Sequence, residues 1–412
     1  MRVMLITPSY YPVIAATSYL YQELCQSLVS MGHEVDVVTG FPRINVRSMP
    51  EEYKYRLWTR EVIDGVNVLR IRMITLPRYV PVARGLEYLG VGMALFLRAL
   101  FHRRPEVALV HPPALFEGLG AVVLRALKNV PFILNVHDLF PHTAVDLGLL
   151  KNKFLINFFE RLEAYLYKTS DWVSVHSEGN REFVIGRGAH PERTIVMPVW
   201  MDASQLIPGP RVNSWRTKQG LADKFVIVFA GTQGYNQDMD VILKAAGLLR
   251  QIDDIQFAII GDGAQHDAMV DQSKQMGLSN VRWLDWQPRE DFSMIMHSSD
   301  IVIATLKKEV STPVVPSKIL SAMSTGRPVL VAMPLSGDAP KLVVEAEAGL
   351  AIPPGDEVRF AEAVIMLYKD RALGERFGAN GRAYIEQHLD VNRWAKEYIK
   401  LFSQLIGEKE TS

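Results

Sequence analysis

The chain has 412 residues, of which 48% are hydrophobic and 22% charged, with 45 basic and 45 acidic side chains. That length allows two or three domains with large cores, and zero net charge argues against nucleic acid or any general polyanion as a partner. The single cysteine, Cys25, excludes an intramolecular disulfide and a Cys-based metal cage; beside Leu20, Leu24 and Leu28 it reads as a buried structural thiol.

In chain order, residues 3–6 (Val-Met-Leu-Ile) predict a strand, 17–31 a helix, and 35–39 a second strand behind a Gly32-His33 stop. The opening apolar run is too short for a signal peptide, and no uninterrupted apolar span reaches the roughly 20 residues that cross a bilayer. A cytoplasmic protein is therefore expected. From Arg43 to Arg104 basic residues outnumber acidic ones 12 to 5, which suits an anionic surface or substrate, or plain solvated charge. Within that stretch 86–101 is apolar, broken only by Glu87 and Arg98, and is flanked by Arg78, Arg84, Arg103 and Arg104. Such a helix could lie on an anionic membrane, placing the protein at the inner face of the cell membrane, or could pack both faces inside a domain.

Strands at 107–110 and 132–136, with a helix at 119–127 between them, continue the βαβ alternation of a parallel sheet, so 1–200 is expected to form one domain. Pro208-Gly209-Pro210 marks a polar, turn-rich stretch, and 201–224 reads as a hinge or linker. The alternation then restarts. Strands are predicted at 225–229, 256–260, 281–284, 301–304 and 329–331, with a helix at 241–250, giving a second domain over 225–390. An amphipathic helix at 392–405 is expected to pack back on the first domain within a 391–412 tail. The predicted fold class is α/β, two tandem Rossmann-like domains facing a cleft at the carboxyl ends of their strands.

No G-x-S-x-G elbow, Walker A loop or H-E-x-x-H motif occurs. Gly261-Asp262-Gly263 follows a strand but lacks the third glycine of a dinucleotide fingerprint. Asp238-Met239-Asp240 has the spacing of a metal-holding D-x-D, yet it opens the 241–250 helix, where carboxylates stabilise the N-terminus unaided. His137-Asp138 closes the 132–136 strand, where an imidazole can orient a hydroxyl or shuttle a proton. Pro316-Ser317-Lys318 starts a short helix that stops at Gly326; open N–H groups beside a lysine make a phosphate seat.

Together these segments resemble the retaining GT-B-fold glycosyltransferases of family 4, in the subgroup that builds bacterial surface polysaccharides. The likeness runs from Tyr10-Tyr11-Pro12 through Gly40-Phe41-Pro42, Asn135-Val136-His137-Asp138 and Gly231-Thr232-Gln233-Gly234 to Pro316-Ser317-Lys318 and Gly349-Leu350-Ala351-Ile352. The resemblance implies transfer of a sugar from a nucleotide diphosphate sugar to a saccharide or polyprenol-linked saccharide, without a metal or other cofactor. It implies acceptor binding by the first domain and donor binding by the second. His137 and Asp138 would sit near the donor sugar, Trp286 and Gln287 near the base, and Thr312, Pro316, Ser317 and Ser321 near ribose and phosphates. Lys318 would be the diphosphate cation, helped by Arg327 if that side chain turns inward.

Several positions depart from the pattern. Ala15-Ala16-Thr17 replaces the glycine pair of the first loop, so Ala16 and Thr17 would meet the donor with methyl groups in the way. Thr232 and Gln237 replace the Arg and Lys that follow the glycine aligned with Gly231, and Tyr235 stands where a basic residue is common. Pro313 and Ser321 replace two glutamates. Three readings follow from these losses: an active transferase, a non-catalytic GT-B binding or scaffold partner, and a nucleotide-sugar epimerase.

Overall fold

The computed structural model describes residues 1–13, 15–42, 51–73, 81–113, 115–310 and 313–410. The chain divides into two compact units, Met1–Val199 with Val391–Ser412, and Trp200–Asp390.

The first unit alternates strands and helices in sequence: β1 (Arg2–Ile6), α1 (Ala16–Ser30), β2 (Glu34–Gly40), β3 (Trp58–Ile63), β4 (Val66–Ile71), α2 (Pro81–Leu100), β5 (Val107–Val110), α3 (Phe116–Lys128), β6 (Phe132–Val136), α4 (His142–Asp146), α5 (Lys153–Thr169), β7 (Trp172–Val175), α6 (Glu178–Ile185) and β8 (Thr194–Val196). Their sheet order is β3-β4-β2-β1-β5-β6-β7-β8. All neighbours are parallel except β3, which pairs antiparallel with β4. β5 and β6 are buried along their whole length because helices cover both faces, which is why they read as apolar runs, broken only by Asn135. The β3–β4 hairpin, not predicted from sequence, turns at Asp64-Gly65, both at positive φ, as a two-residue hairpin turn requires.

The second unit runs α7 (Ser214–Lys218), β9 (Phe225–Ala230), α8 (Met239–Leu248), β10 (Ile255–Ile260), α9 (His266–Gln275), β11 (Val281–Leu284), α10 (Phe292–Ser298), β12 (Ile301–Thr305), α11 (Ser317–Ser324), β13 (Val329–Ala332), α12 (Asp338–Glu345), β14 (Gly349–Ile352), α13 (Glu357–Lys369) and α14 (Arg371–Tyr384). The sheet order β11-β10-β9-β12-β13-β14 is parallel throughout. Residues 201–224, expected as a linker, are packed into this unit. The buried Arg216 guanidinium donates to Leu221 O and Ser298 O and pairs with Asp300 at 3.1 Å.

The last helix, α15 (Val391–Glu410), lies in the first unit. Val391, Ala395, Tyr398, Phe402 and Leu405 are buried at helical spacing, and Asn392 accepts a hydrogen bond from Ser27 Oγ at 2.8 Å.

In both sheets the strand order reverses once near the centre, between β1 and β5 and between β9 and β12. Chains leaving adjacent strands at such a point turn to opposite sides and open a crevice at the carboxyl ends. The chemistry-bearing residues sit at these two places.

Candidate active site

In the second unit the loop after β9 carries Gly231 and the loop after β12 leads into α11. The N-cap of α11 is Pro316, which makes no side-chain cap bond, so Ser317 lies in the first turn rather than capping it. Lys318 therefore stands beside uncapped N–H groups. Its ammonium lies 3.5 Å from the centre of the Phe229 ring and 3.4 Å from Gln237 Oε1. A Cβ on Gly231 would come within 3.3 Å of that ammonium, and Gly231 has φ of 144°. Among the described residues no carboxylate pairs with Lys318. Burial of the ammonium pushes its pKa down to about 7 although the residue as a whole is half-buried.

The other sequence-predicted positions divide. Gln237 is buried beside Lys318, whereas Thr232 and Ser317 are exposed and Pro316 is half-buried. Ser321 is buried and donates to Ser317 O at 3.2 Å, so its hydroxyl is spent inside the helix. Trp286 is exposed and Gln287 bonds Asp285 O, both beyond the end of β11. Thr312 lies outside the described residues. Arg327 does not turn toward Lys318: it follows the opposite end of α11 and donates to Gly209 O. An eight-residue helix separates them by about 12 Å.

The two weaker motifs have structural explanations. Asp238 Oδ1 accepts from Val241 N at 3.2 Å and Oδ2 from Gly355 N at 3.0 Å, while Asp240 pairs with Lys244 at 2.6 Å. Both carboxylates are thus committed to the start of α8. The glycines of Gly261-Asp262-Gly263 are needed because a Cβ would strike Gly231 O at 2.3 Å or Gln233 O at 2.5 Å.

In the first unit His137 follows β6 and is joined by His111 after β5 and His176 after β7, the residues next beyond three adjacent strands. His137 stacks on His176 at 5.7 Å and meets His111 edge-on at 5.5 Å; Tyr21 from α1 approaches at 5.9 Å. Asn135 anchors the floor, accepting from Tyr21 and donating to Ser174 Oγ at 2.6 Å and Tyr398 OH at 3.0 Å. The His137 Nε2 is buried and has no hydrogen-bond partner among the described residues. Burial, then repulsion from His111 and His176, holds its pKa well below the usual histidine value, so the ring is neutral. Asp138 is exposed. Ala16 and Thr17 open α1 behind Ala15, which provides no side-chain cap. Sequence reasoning missed His111 and His176, although a shared signal exists: the same Val-His pair recurs at Val110-His111, Val136-His137 and Val175-His176, each time at the end of a mainly apolar segment.

Cys25 is buried, and burial pushes its thiol up to about 12, which leaves it inert.

Comparison with known proteins decides the family. Residues 17–200 match the Glycosyl transferase 4-like domain and 224–370 match Glycosyl transferases group 1. The chain belongs to the GT-B glycosyltransferases of family 4. Its similarity to WcaI of Escherichia coli (strain K12), named for colanic acid biosynthesis, is 23% identity over 411 residues, 97% of this chain and 99% of that one. The O-antigen chain mannosyltransferase C of Escherichia coli is 21% identical over 69% of this chain and 80% of its own. Among solved structures, sucrose-phosphate synthase from Thermosynechococcus elongatus shares the fold with TM-score 0.79 and 17% identity over 99% of both chains. HepE of Anabaena, in complex with UDP-glucose, gives 0.72 and 16% over 98% of this chain and 100% of that one. As a family-4 GT-B enzyme this chain is a glycosyltransferase of the retaining class with relatives in polysaccharide synthesis, and such enzymes take nucleotide sugars as substrate.

Proposed function

We propose that this glycosyltransferase binds the diphosphate of its donor at Lys318 and the uncapped start of α11 in the second unit, and that His137 in the first unit meets a sugar hydroxyl. The observation that carries the reading is Lys318 itself, whose buried ammonium has no carboxylate partner among the described residues and is set over Phe229 at the strand-order reversal. A buried ammonium is costly unless an anion completes it, and two phosphates beside open helix N–H groups supply that charge. Gln237 adds a polar contact, and Gly231 leaves the room that the ammonium occupies.

The chemical step needs negative charge stabilised on the departing diphosphate, and Lys318 is placed for that. His137, neutral and with Nε2 uncommitted, suits a sugar hydroxyl, which both donates and accepts. Trp286, exposed past β11, offers a ring on which a base can stack. The first unit would take the acceptor and the second the donor.

For the acceptor we favour a lipid-linked saccharide met at a membrane from the cytoplasmic side. Among the described residues no helix is long and apolar enough to cross a membrane. Yet α2 packs one face only: Val91, Leu95 and Ala99 are buried while Leu86, Leu89, Met93 and Leu97 are exposed, with Phe101 just beyond. The next helices add exposed Val123 and Leu127 on α3, and Phe154, Leu155 and Phe158 on α5 with Lys151 and Lys153 beside them. Apolar and aromatic side chains mixed with lysines suit an anionic lipid surface. Met93→Glu combined with Leu97→Glu should reduce sedimentation with phosphatidylglycerol vesicles severalfold while leaving nucleotide binding intact; equal sedimentation would remove this face from the proposal.

The donor test is calorimetry with UDP, GDP, dTDP and their sugar conjugates, without added divalent ions. One nucleotide should bind selectively and lose affinity in Lys318→Ala. Binding that ignores Lys318 would falsify the placement of the diphosphate.

A further inference from the structure

Beyond the far end of α11 lies a cavity of about 390 Å³ within the second unit, bordered by Arg211, Arg327, Arg382, Glu375, Glu386 and Ala379. That volume suits a small ligand. The charged lining holds three guanidinium groups and two carboxylates, leaving one positive charge in surplus. Arg211 and Arg327 each leave a buried Nε without a hydrogen bond among the described residues, and it is their ion pairs that distinguish them. Arg382 is spent on the carbonyls of Ala203, Leu206 and Ser324 and on Glu386 at 2.6 Å. Arg211 is shared between Asp300 and Glu375, each at 3.4 Å. Arg327 is 6% exposed and donates to Gly209 O, but its Nε is buried without any hydrogen-bond partner among the described residues.

A buried N–H of a cation left unsatisfied is expensive, and such groups are ordinarily completed by an acceptor. The acceptor that best matches a guanidinium is a phosphate or carboxylate oxygen. Glu375 and Glu386 have side chains 65% and 52% exposed, so carboxylate oxygens remain to accept hydroxyl protons. Pro208 and Ala383 supply an apolar wall. Burial and the neighbouring Arg211 press the Arg327 pKa down to about 10, as expected of a cation short of counter-charge.

We propose that this cavity is a second ligand site, separate from the donor site, that takes a small hydroxylated phosphate monoester such as a hexose phosphate, with the phosphate on the Arg327 guanidinium and hydroxyls on Glu375 and Glu386. The proposal stands independently of the transfer reading, because Lys318 belongs to the other end of α11.

The test is calorimetric titration of the full chain with glucose 6-phosphate, inorganic phosphate and glucose. Glucose 6-phosphate should bind saturably and more tightly than either fragment. Affinity should fall at least tenfold in Arg327→Gln and stay unchanged in Lys318→Ala. Should Arg327→Gln fail to fold for want of its tie to Gly209, Ala379→Trp decides, since it fills the cavity from an exposed position on α14 and should abolish binding. No saturable binding, binding retained in Ala379→Trp, or binding lost in Lys318→Ala but kept in Arg327→Gln would each overturn the assignment.

Discussion

The carboxyl ends of the two sheets are built from opposite chemistry. In the first unit three histidines, an asparagine and a tyrosine make a polar surface on which the His137 Nε2 lacks a partner among the described residues. In the second the Lys318 ammonium sits over an aromatic ring beside open helix N–H groups, with no carboxylate paired to it among the described residues. Neutral donors and acceptors recognise hydroxyls without attracting ions, whereas an unbalanced buried cation selects charge. The same strand-reversal geometry thus yields a sugar-type surface in one unit and a phosphate-type surface in the other, and side chains alone make the difference.

The largest expected break comes from Lys318→Ala. Removing a charge-assisted bond costs about 2–3 kcal/mol, so nucleotide diphosphate affinity should fall roughly a hundredfold by calorimetry. His137→Ala should act on the other side of the comparison, lowering kcat by about tenfold or more while nucleotide Kd changes less than twofold. Equal loss of affinity in both variants would dissolve the division of labour.

A pH series sharpens the contrast. With its pKa lowered from 10.5 to about 7, Lys318 in the native state holds fewer protons than in the unfolded chain between those values. Stability should therefore rise with pH across that window relative to Lys318→Met, read by denaturant titration at several pH values. Nucleotide affinity, which needs the ammonium, should fall across the same window. His137 is already neutral, so it should contribute no change there. The smallest effect belongs to Asp238→Asn. Asn caps α8 as well as Asp, but it replaces the oxygen that accepts from Gly355 N with an amide donor and should cost about 1 kcal/mol in stability without introducing a divalent-ion requirement for transfer.

Much of the architecture was legible because parallel strands buried on both faces must be apolar runs: β1, β5, β6, β9, β10 and β12 announce themselves. The misses share a different cause. β3 at the sheet edge exposes Trp58 and Val62, so its pattern does not mark an interior. β7 spends Ser174 on Asn135 instead of on the core. β14 begins at Gly349, where a Cβ would meet Val329 O at 1.8 Å, so packing demands a residue that local propensity disfavours in strands. For the site, His137 and Lys318 stood next to recognisable strand and helix ends, but Arg327 could not be oriented from sequence. Its direction is set by Gly209, a partner distant in the chain.

The return of α15 to the first unit has a consequence for synthesis. Tyr398 completes the hydrogen bonds of Asn135, and Asn392 those of Ser27, yet both emerge from the ribosome after the entire second unit. The second unit can close as soon as its own residues are made, whereas the first waits, with the α15-facing side of its sheet uncovered, for the last helix to arrive. The order of translation is thus the reverse of the order in which the two units can be finished.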